Sequence, residues 1–254
     1  MSPKVTILVP TYNRAGLLPE ALQSALSQTY NNFELVILDD ASTDNTKEVI
    51  QHFLKDSRVR YVAHPRNIGI AANRNHGLSL AQGQYIAMLD SDDVWLDKDK
   101  LAKQVAYLEQ NNDCVLVGTW VVQIDEEGNQ LKNISFAKTD ADIRASILYR
   151  NHIAQSSVLF RKDAALKAGE YDKTLATMED HDLWLKIGVQ NKFATLPIYA
   201  LGYRIHKGGI TKSHKLRVAL DELLVIWRHR HEYPGVLLGI TKGLARLTQA
   251  LLPF

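Results

Sequence analysis

Residues 85–96 read YIAMLDSDDVWL, and this stretch decides the fold. The apolar run Ile86, Ala87, Met88, Leu89 has the length of a buried strand. It stops at three carboxylates, Asp90, Asp92 and Asp93, within four positions. Carboxylates this close repel one another and are costly to bury unpaired, so a positive partner is required. A hard divalent cation with oxygen ligands meets that need. A solvated Asp-rich turn is the plainer alternative for the motif alone. Carboxylates at the carboxyl end of a strand stand where open α/β sheets bind ligands.

The flanking sequence repeats the same strand-then-helix unit. Apolar runs at 5–9, 33–38, 59–62 and 85–89 predict short strands, and 17–27, 43–54 and 70–81 carry apolar residues at helical spacing. Thr43 and Asp44 are placed to cap the second helix, and Gly83 to end the third. Successive β–α steps predict a mostly parallel sheet with right-handed crossovers. Further helices are expected at 98–110, 140–149, 162–168 and 182–189, with strands at 114–124, 156–160 and 193–201 and a turn at 126–129. The fold class is α/β: a central, mostly parallel sheet flanked by helices, followed by C-terminal amphipathic helices.

Chemistry should collect at the strand ends. Pro10-Thr11-Tyr12-Asn13-Arg14 offers a hydroxyl, a ring, an amide and a cation, a set suited to a nucleoside and phosphate or to a plain turn. At Asp39-Asp40 a carboxylate can accept from a base N–H, or the segment can simply cap the next helix. After the third strand, Gly69 near Asn67 permits close backbone approach, and Arg74 is able to pair with a phosphate or with solvent. All these sites fall on one edge of the predicted sheet.

Composition bounds the reading. With 254 residues, 46% of them hydrophobic, the chain can bury a full core. One cysteine, Cys114, excludes an internal disulfide framework and fits a reducing compartment. MSPKVTILVP lacks a long apolar h-region, so a secretory leader is not expected, and no run has the length of a spanning helix. The net charge of +2 divides into +6 from Tyr203 onward and −4 before it. No aromatic-studded basic patch accompanies that surplus, so nucleic acid is not an expected partner.

Taken in order, VPTYNR (9–14), LDDASTD (38–44), NIGIAANRNHG (67–77) and LDSDD (89–93) resemble family 2 glycosyltransferases, inverting enzymes with the Rossmann-like GT-A fold. Gly169-Glu170-Tyr171-Asp172, then Met178-Glu179-Asp180-His181-Asp182-Leu183-Trp184, resemble that family's glycine loop and ED motif, and Tyr203-Arg204-Ile205-His206 its C-terminal histidine element. The match covers roughly residues 4–210, with one departure at Asn73, where the family more often has Ala. The resemblance implies a metal-dependent transfer of sugar from a nucleotide-diphosphate sugar, UDP-linked by preference, to a saccharide or lipid-linked hydroxyl acceptor. Such chemistry serves polysaccharide, cell-envelope or glycolipid synthesis. It assigns Asp180 as the base, with Glu179 and Asp182 in reserve. Asp90, Asp92 and His206 would hold Mg²⁺ or Mn²⁺. Pro10, Thr11, Tyr12, Arg14, Asp39, Asp40, Asn67, Arg74, Asp90 and Ser91 would bind the donor.

On this reading residues 1–212 form the transferase domain, with a nucleotide-binding half (1–97) and an acceptor half (98–212), and 213–254 form a basic helical tail. That tail, with helices expected at 216–230 and 236–252, is expected to lie on an anionic membrane, a second subunit or the enzyme's own core. A cytoplasmic enzyme, peripheral on the inner face of the membrane, is the corresponding location. Two rival functions remain. MLDSDDVWL also fits the opening motif of haloacid-dehalogenase-like phosphatases, with Asp90 as nucleophile, and a non-catalytic nucleotide-sugar binding module would keep the same loops.

Overall fold

The computed structural model describes residues 3–206 and 214–252. Its strands are β1 (Val5–Thr11), β2 (Phe33–Asp39), β3 (Val59–Ala63), β4 (Tyr85–Met88), β5 (Val94–Trp95), β6 (Cys114–Ile124), β7 (Gln130–Ile134), β8 (Leu159–Arg161) and β9 (Lys192–Arg204). The helices are α1 (Leu18–Leu26), α2 (Thr46–Gln51), α3 (Ile70–Leu80), α4 (Lys100–Gln110), α5 (Asp140–Arg144), α6 (Lys162–Lys167), α7 (Glu179–Gly188), α8 (Lys215–Arg228) and α9 (Val236–Leu251). The strands make one sheet in the order β3-β2-β1-β4-β8-β6-β9-β5, with β7 hairpinned onto β6. Parallel pairing joins β3, β2, β1 and β4 and again β6 with β9, while β8 runs antiparallel between β4 and β6.

Every residue of β1 and β2 is buried, which is why both read as continuous apolar runs. Alternate side chains still sort to opposite faces. Leu8, Val36, Leu38, Ile86 and Met88 face the layer of α3 and α7, where Trp184 packs 5.5 Å from Phe160. Ile7, Val9, Leu35, Ile37 and Ala87 face α1 and α4. These two cores hold the carboxyl ends of β1, β2 and β4 side by side.

Two local expectations change. Gly83 does not cap α3, which ends at Ala81 in extended conformation; a Cβ at Gly83 would lie 2.5 Å from Thr6 N, so glycine is needed for the approach of the chain to β1. The helix expected at 140–149 stops at Arg144. The tail packs on the body, one of the placements expected for it: Val225, Ile226 and Tyr233 join the core cluster of Leu183 and Trp184. The boundary placed at 212/213 lies outside the described residues.

Candidate active site

The aspartates after β4 divide their labour. Asp93 is buried; Ser156 Oγ donates to its Oδ2 (2.5 Å) and Arg204 N to its Oδ1 (2.9 Å). Burial, then the charges of Asp92 and Asp90, push its pKa well above the usual carboxylate range. Asp93 therefore pins β4 to β9 and leaves the outward chemistry to its neighbours. Asp90 accepts from Arg74 Nη2 (2.7 Å) while its N–H donates to Ser156 Oγ (3.1 Å). Asp92 faces His206 Nε2 (2.9 Å) and Arg14 Nε (3.8 Å). Residues 114 apart in sequence thus meet at one point.

The other strand ends converge there. Asp40 is buried and accepts from the N–H groups of Ile68 (2.8 Å) and Gly69 (3.0 Å), fixing the loop after β3. Asn67 Oδ1 accepts from the same Gly69 N–H (3.1 Å). Asp39 accepts from Tyr61 OH (2.7 Å) and Ser42 N (2.9 Å). In this structure both carboxylates brace the loops that would surround a base. Thr11 Oγ1 is buried with no hydrogen-bond partner, beside Pro10 and the half-exposed Tyr12 ring. Ser91 is buried between Asp90 and Asp92 in the chain. Asn73 explains the departure from the family pattern: its Nδ2 donates to Leu38 O (2.9 Å) and ties α3 to the end of β2.

Arg74 is not left free for a phosphate. It is buried, bridges Asp90 and Glu179, and lies 5.6 Å from the centre of the Tyr171 ring. Burial disfavours its charge, but the two carboxylates outweigh that and hold it protonated. Glu179 and Asp180 open α7 directly after Met178, whose left-handed φ of 62° turns the chain into the helix. Asp180 Oδ1 accepts from His181 N (2.7 Å), and its other oxygen makes no hydrogen bond among the described residues. Burial, reinforced by the Glu179 charge and opposed by Arg74, pushes the Asp180 pKa up to about 7. That value suits a base working near neutrality. Asp182, held in reserve for the same role, faces the other way, toward His229 Nε2 (3.0 Å) and Lys186 Nζ (3.1 Å).

Sequence reasoning missed the contribution of the tail. Thr177 N and Oγ1 both donate to Oδ2 of buried Asp221 (3.0 Å each), whose Oδ1 pairs with Arg217 Nε (2.9 Å). Helix α8 thereby braces the segment that leads into Glu179 and Asp180. Asp221 stands among other charged residues of an amphipathic helix, so the sequence carried no signal that singled it out.

The donor set fits a divalent cation in part. Among the described residues no cluster of three or more His, Cys, Asp or Glu side chains is arranged to hold a metal. His206 Nε2 and Asp92 Oδ2 stand 2.9 Å apart, at hydrogen-bonding distance, and are two donor atoms of the kind such ions take. Two protein ligands leave positions for substrate phosphates, as is usual for such ions. One imidazole and one carboxylate suit Mn²⁺ as well as Mg²⁺.

A sheet of this order, with aspartates and a histidine gathered at its carboxyl edge, defines a GT-A-type glycosyltransferase. Solved structures agree on the fold: Staphylococcus aureus TarS 1–349 in complex with UDP-GlcNAc superimposes with a TM-score of 0.77 at 19% identity, covering 97% of this chain and 73% of that one. The Pyrobaculum calidifontis mannosyltransferase PcManGT, in complex with GDP-Man and Mn²⁺, gives 0.69 at 19% identity over 100% and 77%. Residues 6–167 match the glycosyl transferase family 2 model, and the chain belongs to that family. An uncharacterized glycosyltransferase of Methanocaldococcus jannaschii is 34% identical over 207 residues, 80% of this chain and 71% of its own length. The putative glycosyltransferase EpsE of Bacillus subtilis is 35% identical over 188 residues, 72% and 66%. A Rickettsia bellii relative is much longer, and the chain spans only 32% of it. Family membership removes the phosphatase reading of Asp90.

Proposed function

We propose that the chain transfers a sugar, with inversion, from a nucleotide-diphosphate sugar to a hydroxyl acceptor, aided by Mg²⁺ or Mn²⁺. The observation that carries this reading is one sheet edge bearing the Asp92–His206 pair together with Asp180, a carboxylate whose pKa is pushed up to about 7. Thr11, Tyr12 and the loops braced by Asp39 and Asp40 would receive the nucleoside. Asp92 and His206 would hold the cation. When bound, that cation supplies Lewis-acid stabilisation of the departing diphosphate. Asp180 accepts the proton of the acceptor hydroxyl as its oxygen bonds to the anomeric carbon. The bond from that carbon to the diphosphate oxygen breaks on the opposite face, and its electron pair leaves with the nucleoside diphosphate. Arg74 keeps Asp90 and Glu179 apart from that proton transfer.

A UDP-sugar is the favoured donor on the family resemblance. Saccharide or lipid-linked acceptors, and a place in polysaccharide or envelope synthesis, accord with a relative named as a putative teichuronic acid biosynthesis glycosyltransferase, 37% identical over 130 residues. Cytoplasmic action accords with the buried, unpaired Cys114.

A thermal-shift panel of UDP-, GDP-, dTDP- and CDP-sugars with and without Mn²⁺ tests the proposal. One donor should stabilise the protein only with the ion, and Asp92→Asn should abolish that shift while Asp99→Asn keeps it. Equal ion-dependent shifts in the two variants would remove Asp92 from the site.

A further inference from the structure

Arg204 closes β9 just before Ile205 and His206, and the proposed chemistry gives its side chain no part. That side chain is only 2% exposed. Its N–H groups are spread over three separate segments. Nε donates to Asp92 O (3.0 Å), Nη1 to Asp125 O (3.1 Å) and Glu126 O (2.8 Å), and Nη2 to the Glu20 carboxylate of α1. Only Glu20 offsets the charge, and its side chain is 57% exposed. The other acceptors are neutral carbonyls, so what the planar guanidinium contributes is direction. The turn that it grips is itself held: Asp125 Oδ1 accepts from Glu127 N (3.1 Å) and Asn129 N (2.7 Å), and Gly128 supplies the φ of 89° that closes it.

Two of Arg204's contacts fall on consecutive residues of the aspartate motif. Its Nε holds the carbonyl of Asp92, and its backbone N donates to Asp93 Oδ1 (2.9 Å). The chain at Asp92 is thereby fixed from β9. His206 follows on the same strand end, where Ile205 N donates to Ile124 O (2.8 Å) and keeps the chain paired with β6. Asp92 and His206 are thus both anchored to Arg204, the first through its side chain and the second through the backbone that follows it. We propose, on the reading that Asp92 and His206 hold the cation, that Arg204 is a positioning residue for that site, fixing the Asp92 backbone and the β6–β7 turn so that carboxylate and imidazole keep facing each other. It acts through Asp92 and not on the ion, since its N–H groups are buried against protein acceptors. Charge alone would have the opposite effect: a guanidinium close to a cation site repels the ion, so its removal should tighten binding. A weakening on removal therefore reports geometry.

The test titrates the full chain with Mn²⁺ alone, following the electron paramagnetic resonance signal of the free ion well below the melting temperature of each variant. Arg204→Met should weaken Mn²⁺ binding by roughly 10–100-fold, the range for groups that orient a metal's ligands. Arg204→Lys keeps the charge beside Glu20 but cannot present the fork that spans Asp92 and the 125–126 turn, and should weaken binding by about tenfold. It keeps the test decisive where Arg204→Met folds poorly. Arg161 is the control, because it holds the carbonyls of Cys114 (3.1 Å) and Leu108 (2.7 Å) beside Tyr85, at the opposite end of β4 from the aspartates. Arg161→Met should melt lower yet bind Mn²⁺ within about twofold of wild type. Asp92→Asn separates the two claims. A wild-type protein that takes up no Mn²⁺, or uptake that Asp92→Asn leaves unchanged, removes the reading of the site and this inference with it. Uptake lost in Asp92→Asn but unchanged or tightened in the folded Arg204 variants overturns the inference alone. Equal weakening in Arg161→Met does the same, since the effect would then follow stability and not the position of Asp92.

Discussion

Replacing Arg74 by Met keeps the apolar stem of the side chain and removes the charge between Asp90 and Glu179. Glu179 is then a buried carboxylate without its partner, 7% exposed, while the Asp90 side chain is 27% exposed and keeps access to water. Breaking a buried pair by removing one partner costs about 3–5 kcal/mol, and the wetter Asp90 places this case near the lower end. For a chain of this size roughly 3 kcal/mol corresponds to a fall in melting temperature of about 6–12 °C. The same change acts on the base. Arg74 lowers the Asp180 pKa, which burial and Glu179 raise to about 7. Wild-type kcat/KM should accordingly fall as pH drops through about 7, because protonated Asp180 cannot accept the acceptor's proton. In Arg74→Met that acid limb should move to higher pH, and Arg74→Lys should restore its position better than the stability, since an ammonium cannot make the two-pronged bridge. Thermal unfolding and pH–rate profiles read both effects. Melting within about 2 °C of wild type together with an unmoved acid limb would refute the reasoning.

Two further changes probe the frame around the site. Asp93 has a folded pKa above its unfolded value of about 3.9, so its contribution to stability is present below that pH and lost as pH rises toward the folded pKa. Asp93→Asn, which does not ionise, should therefore match or exceed wild-type stability near neutral pH, whereas Asp93→Ala should lose about 1–3 kcal/mol in denaturant titrations. A neutral-pH loss in Asp93→Asn as large as in Asp93→Ala would show that the carboxylate is buried ionised. Asp221→Asn should lower kcat by roughly tenfold to a hundredfold through a displaced Thr177–Asp180 segment. Donor KM should stay within about twofold, since the interaction lies outside the donor loops. A changed KM with unchanged kcat would place Asp221 outside the catalytic frame.

The β–α units of the N-terminal half were legible because each buried strand is a short apolar run closed by polar turn residues. Strand 114–124 also has the bounds expected of it. The motif loops were legible because parallel topology brings their strand ends to one edge. What local sequence could not express is which carboxylate each partner satisfies. Arg74 looked free for a phosphate because Glu179 is 105 residues away. Asp93 had no ligand role in the sequence reading, and its partners Ser156 and Arg204, 63 and 111 residues away, could not be seen there. Helix α7 starts at Glu179 rather than at 182 because Met178 adopts a left-handed conformation, which nothing in a methionine announces. The tail carried no motif, so only its amphipathic pattern was visible, and the Asp221–Thr177 contact was not.

Single-turnover transfer by Asp180→Asn tests the central claim most directly. The wild-type protein, saturated with the donor found in the panel and with acceptor, gives the reference rate, and donor affinity is measured separately by calorimetry. The account predicts donor affinity within about twofold of wild type and transfer slowed by roughly 10²–10⁴, with no acid limb near pH 7 in the remaining activity. Transfer at the wild-type rate with the same acid limb would contradict it, because the proton would then leave the acceptor by a group other than Asp180.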